Sequence, residues 1–172
     1  MSVSHIVVER FHVVSARPLA DVLAAIDAAI GHPNMGQVQR DVAAAKTYSE
    51  LESIIDNATG PAGLMEFLRL DMGMYLAKGR PGKPPGSFRL LVGNPLIMRR
   101  MAEQVPDAAS YAPVTLLIDE RADGVHLSYD RMASFLASYQ SAAASAVAGD
   151  LDRKVETLLT AAAGIPPPQG SA

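Results

Sequence analysis

The segment from Ser87 to Val105 restricts the fold of this chain more than any other, because its periodicity changes within a single turn. Phe88-Arg89-Leu90-Leu91-Val92 is a short apolar run of strand type, and Gly93-Asn94-Pro95 leads from it into a helix. Asn94 suits the N-cap, where its side-chain oxygen accepts from the unpaired amides of the first turn. Pro95 suits the first helical position, where no donor is needed. Gly93 allows a sharp turn between the two. If the helix reaches Gln104, then Ile97, Met98, Met101 and Val105 share a stripe roughly 100° wide, with Arg99, Arg100, Glu103 and Gln104 opposite. One face packs and the other meets water.

The flanking chain reads in the same way. His5 to Val14 is β-branched and aromatic enough for a strand, and Pro18 opens a helix carrying Leu19, Val22, Leu23, Ile26 and Ile30, stopped by Gly31. Residues 32–45 read as irregular, with room for a helical turn. Thr47 and Glu50 form a capping box ahead of a helix that buries Leu51, Ile54, Ile55 and Ala58 and ends at Gly60-Pro61. Leu64 to Leu70 and Met74 to Ala77 read as strand segments bent at Asp71-Met72-Gly73. Gly79 to Gly86 holds three prolines and is a loop. Pro113 to Asp119 and Val125 to Tyr129 are strands joined through Asp123-Gly124 as a hairpin. Two helices follow, Met132 to Val147 and Leu151 to Ala163, separated by Gly149 and with Asp150 placed to cap the second. In that last helix Leu151, Val155, Leu158, Leu159 and Ala162 form the packing face, and Asp152, Arg153, Lys154 and Glu156 lie outside.

The expectation is therefore α+β: a mixed or antiparallel sheet of about five strands with helices mainly on one face, a two-layer sandwich. Residues 1–164 are expected to form one domain, with 165–172 as a flexible Pro-rich tail. The 172 residues hold no cysteine, which removes disulfides, thiolate metal sites and cysteine nucleophiles together. Neither a basic leader followed by an apolar run nor an 18-residue apolar stretch occurs, so the expected compartment is the cytoplasm, without membrane contact. A net charge of −3 argues against a nucleic-acid partner. That average conceals a local field. Six of the fifteen basic residues fall between Lys78 and Arg100, where no acid stands, and the rest of the chain carries −9.

Leu91-Val92-Gly93-Asn94-Pro95-Leu96-Ile97, with Tyr111-Ala112-Pro113-Val114-Thr115-Leu116-Leu117, Asp123-Gly124, Ser128-Tyr129-Asp130 and Leu151-Asp152-Arg153-Lys154, resembles the domain of unknown function 302 family. The match is densest over residues 87–160, and segment 32–86 is longer than in the family's short members. The resemblance implies an α+β domain of TATA-binding-protein-like topology and homodimers. It implies no agreed activity.

Candidate sites follow from residue chemistry. Side chains on a helix lean toward its N-terminus, so Arg99 and Arg100 could reach the amides of Leu96 and Ile97, with Gly93 and Asn94 at the turn and Lys83 and Arg89 approaching from the loop and strand. That set would bind a small anion or serve a partner protein. Its bland counterpart is a capped helix with a solvated basic face. A second set, Tyr111, His126, Tyr129 and Asp130, would serve an enzyme with a cleft near the hairpin mouth, although Asp130 is better placed as an N-cap. His5 and His12 fall on opposite strand faces, and His126 projects toward solvent. No metal site and no cofactor is therefore expected, with non-covalent haem or metal as a second alternative given eight methionines. No Gly-x-Ser-x-Gly, P-loop or Gly-x-Gly-x-x-Gly motif occurs.

Overall fold

The computed structural model describes residues 1, 3, 5–79, 81–82 and 84–166. Five strands form one sheet: β1 (Arg10–Ser15), β2 (Met65–Asp71), β3 (Ser87–Gly93), β4 (Val114–Arg121) and β5 (Gly124–Asp130). They lie in the order β1-β5-β4-β3-β2, and every neighbouring pair is antiparallel. The helices are α1 (Leu19–Ala29), α2 (Met35–Ala44), α3 (Tyr48–Ala58), α4 (Gly73–Leu76), α5 (Pro95–Ala102), α6 (Met132–Leu136) and α7 (Ala142–Ala162). This is the expected α+β arrangement, with an antiparallel sheet and helices gathered on one of its faces. The TATA-binding-protein-like topology rests on the resemblance alone.

Strand alternation builds the core. Leu90 and Val92, Val114, Leu116 and Ile118, and Val125, Leu127 and Tyr129 all point to the helical side. They meet Val22 and Ile26 of α1, Met101 of α5 and the buried stripe of α7. A smaller cluster of Val38, Ile55, Ala58 and Met65 lies under α2 and α3, so the long segment 32–86 brings its own apolar footing.

Several elements differ from expectation, each for a local reason. β1 begins only at Arg10; just before it the Glu9 amide leaves the ladder and donates to the Ser134 hydroxyl of α6 at 3.1 Å, while the Glu9 carbonyl accepts from the Arg131 amide at 2.9 Å. Residues 35–44, expected to be irregular, are a helix capped by Asn34, whose Oδ1 accepts from the Gln37 amide at 3.0 Å. Its apolar pattern is faint because only Val38 is buried. Met74 to Ala77, expected as strand, is mostly the helical turn α4, started by the Asp71 carboxylate accepting from the Met74 amide at 3.2 Å. The first of the two closing helices stops at Leu136. Gln140 then adopts a left-handed conformation, and Ser141 caps α7 by accepting from Ala144.

Helix α7 runs unbroken through Gly149, and Asp150 pairs with Arg153 rather than capping. Asp152, expected outside, is fully buried. Its carboxylate accepts from the Tyr129 hydroxyl at 2.6 Å and from the Met132 and Ala133 amides at 2.7 and 3.1 Å. The α6 cap therefore comes from α7, and Asp130 is engaged elsewhere. Of the expected tail, Ile165 and Pro166 carry no regular structure and 167–172 lie outside the described residues.

A backbone seam ties the ends of α1 and α3 to the start of β2. The Leu64 carbonyl accepts from the Gly31 and Gly60 amides at 2.9 and 3.0 Å. A Cβ at Gly31 would stand 2.0 Å from the Ala58 carbonyl oxygen, closer than any real contact. Gly31→Ala is therefore expected to lower unfolding free energy by about 2 kcal/mol or more. Chemical denaturation checks this, and a midpoint equal to the parent's would mean that the seam relaxes freely.

Candidate functional site

The helix start around Asn94 is built as its sequence suggests. Asn94 Oδ1 accepts from the Leu96 and Ile97 amides at 2.8 and 3.4 Å, while its Nδ2 donates to the Gly63 carbonyl at 3.0 Å. Those amides already have an acceptor. Arg99 donates to Glu103 at 2.7 Å and lies 4.5 Å over the ring of Tyr48, which ties α5 to α3. Arg100 is exposed on the same helix. Gly93 has an ordinary φ, and an added Cβ would only touch Pro113 at 3.4 Å. Lys83 lies outside the described residues. Arg89 alternates with Leu90 and projects from the sheet face opposite the helices, so the eight candidates do not share one locus.

That opposite face is where a groove forms. The strand registers align His12, Ser128, Leu117, Arg89 and Leu70 in one row across the five strands. Beside it stand Arg10 and Asp130, and Thr115, Leu91 and Leu68. None of these side chains is buried. At the end where β3 and β5 finish, the chain rises above the sheet and turns this face into a groove of about 550 Å³. Its floor includes Arg89, Leu91, Thr115, Leu117 and Ser128. Tyr111, Pro113, Met132 and Phe135 contribute its wall. The Tyr111 and Phe135 rings are stacked, with centroids 4.9 Å apart and planes at 16°. Tyr111 is held from behind by the Tyr139 hydroxyl at 3.2 Å, and Tyr139 donates to Asp107 at 2.9 Å. Those bonds push the Tyr139 phenol up, the contact with Tyr111 first.

Three of the four residues of the enzymatic alternative line this groove: Tyr111, Tyr129 and Asp130. They are not assembled for proton transfer. Asp130 is held in a fork by Arg10, with contacts of 2.6 and 2.9 Å. The Tyr129 hydroxyl is turned into the core toward Asp152. Burial first, and then the negative charge of Asp152, push its phenol far above the ordinary value, so it stays a donor. His126 lies outside the groove lining, paired with Asp123 at 2.9 Å, and that bond holds the Asp123 carboxyl below the usual carboxylate range.

Asp27, His32 and Glu66, which no motif marked, bring one ligand atom each to within 4.8 Å of one another. A cation is already there. Arg69 is bonded to Asp27 and donates to Glu66 at 2.6 and 2.9 Å, so the two carboxylates serve as its counter-ions.

Thr115, Leu117, Ser128 and Phe135 are groove residues that neither candidate set included, although the first three stand within the runs that carry the family resemblance. The available signal was alternation, because the Asp-Gly hairpin fixes which residues of β4 and β5 share a face.

A family model described as "Domain of unknown function DUF302" matches residues 38–162. Among solved structures, the chain is similar to an uncharacterized conserved protein DUF302 from Bacillus stearothermophilus, at 9% identity and a TM-score of 0.59. That likeness covers 87% of this chain and 94% of the other, and at such identity it speaks for the fold alone. No curated protein matches. No helix among the described residues is long and apolar enough to cross a membrane.

The raised Tyr129 pKa has a consequence for alkaline stability. The native state keeps this proton where the unfolded chain releases it, so the contribution is full below pH ~10 and is lost as pH rises beyond that value. Tyr129→Phe is expected to be less stable than the parent at neutral pH by about 1 kcal/mol and to lose less on going to high pH. Urea midpoints across that range decide it, and parallel curves for parent and variant would refute the assignment.

Proposed function

Because the chain belongs to the DUF302 family, whose membership carries a fold and no activity, we propose its function from the groove: a binding module for a small anionic ligand held at Arg89. The supporting observation is the state of that guanidinium. Arg10, Arg69, Arg99, Arg121, Arg131 and Arg153 each meet a carboxylate. Arg89, like Arg17, Arg40 and Arg100, meets none among the described residues; of these four it alone lines the groove, and its one side-chain hydrogen bond is a 3.4 Å contact to the Thr115 hydroxyl. A cation above an apolar floor, with the Thr115 and Ser128 hydroxyls on neighbouring strands, is a receptor for an anion.

A second reading concerns assembly, and its support lies at the other end of the strands. Met74, Tyr75 and Leu76 on α4 are 65%, 73% and 44% exposed. Three consecutive large apolar side chains in water suit a contact with a second copy, which would form the homodimer and leave the groove open. Met74→Ser with Tyr75→Ser should then halve the particle mass in light scattering. An unchanged mass would remove this surface from the interface.

For the anion itself, thermal unfolding with inorganic phosphate or organic acids is compared with chloride at equal ionic strength. A bound anion adds RT ln(1 + [L]/Kd), about 2.7 kcal/mol at a hundredfold excess over Kd, whereas screening is generic. Arg89→Gln should abolish the selective part and Arg100→Gln should retain it. Equal responses to every anion, or a response indifferent to Arg89, would refute the proposal.

A further inference from the structure

Resting on that reading of the groove, we infer that its ligand is a single carboxylate carried on a flat apolar body, such as an aryl carboxylate. Charge comes first. The lining holds the cations Arg10 and Arg89 and the anion Asp130. Arg10 and Asp130 neutralise each other through a two-point fork, which leaves one positive charge. A monoanion balances it. A dianionic phosphate would leave its second charge without a cation, because Arg10 is already engaged by Asp130. The planar edge of a guanidinium also presents two parallel donors, the match for the two oxygens of a carboxylate.

Beside the Ser110, Thr115 and Ser128 hydroxyls, much of the remaining lining is carbon. Leu91 and Leu117 flank Arg89 on the floor, and Pro113, Met132 and Phe135 stand in the wall. With Tyr111 stacked on Phe135 and fixed through Tyr139 and Asp107, this wall is rigid and aromatic. A ring lying between such a wall and the sheet makes offset or edge contacts with aromatic side chains and removes apolar surface from water on both sides. The groove, at about 550 Å³, has far more room than a bare acetate fills.

Calorimetric titration of the full chain with naphthoate, naphthamide, acetate and inorganic phosphate tests the inference. Naphthoate should bind at least about tenfold more tightly than each of the others, and Arg89→Gln should reduce its affinity to that of the amide. Arg100→Gln, outside the groove, should change nothing. Because Arg89 is exposed, its replacement leaves the core untouched. Phosphate binding as tightly as naphthoate, in an Arg89-dependent way, would overturn the carboxylate inference and leave the anion reading standing. Naphthamide binding as tightly as naphthoate would overturn the use of charge. No Arg89-dependent binding of any probe would bring down both readings.

Discussion

A carboxylate removed from water has to be met by donors, and Asp152 is met by three. The hydroxyl of Tyr129 comes from the last strand and the amides of Met132 and Ala133 from the helix after it, while Asp152 itself belongs to α7. One side chain thus fixes the angle at which β5 leaves the sheet, starts α6, and locks the longest helix against both. Removing the carboxylate itself would leave the Tyr129 hydroxyl and the Met132 and Ala133 amides without that acceptor, a larger loss than any single bond is worth. The groove depends on this junction indirectly, because Met132 and Phe135 in its wall belong to the helix that Asp152 caps.

Covering an antiparallel sheet on one face only leaves a second face whose residues packing does not dictate. On this molecule that face carries Arg89, Thr115 and Ser128 among Leu91 and Leu117, a mixture that would be costly in a core and is tolerated beside water. The helical face is closed to chemistry for the opposite reason. Its polar groups, such as Tyr129, are consumed in holding elements together.

What could be read from the sequence was local. The Asn94 cap, the Thr47–Glu50 box and the Asp-Gly hairpin each concern residues within a few positions of one another, and each is present. The breaks that failed were inferred from residue type. Gly149 costs a helix about 1 kcal/mol, yet the buried stripe of Ala144, Val147, Ala148, Leu151, Val155 and Leu159 crosses it and outweighs that cost. Asp152 stands four residues after Ala148 and three before Val155, so its spacing placed it on the packing face while its charge suggested water. Only the donors from Tyr129, Met132 and Ala133, distant in sequence, resolve that conflict. Arg89 reads the same way: its proximity in sequence to Asn94 suggested a shared site, but the pleat sends it through to the other side of the sheet.

The edge position of β1 bears on the order in which the chain comes together during synthesis. Arg10 is joined to Asp130 across 120 residues, and the whole of β1 pairs with β5 alone. Strand β1 therefore has no partner in the sheet until β5 has emerged. Strands β2 to β5 can assemble as each neighbour arrives, while β1 waits with its amides solvated and closes the sheet last.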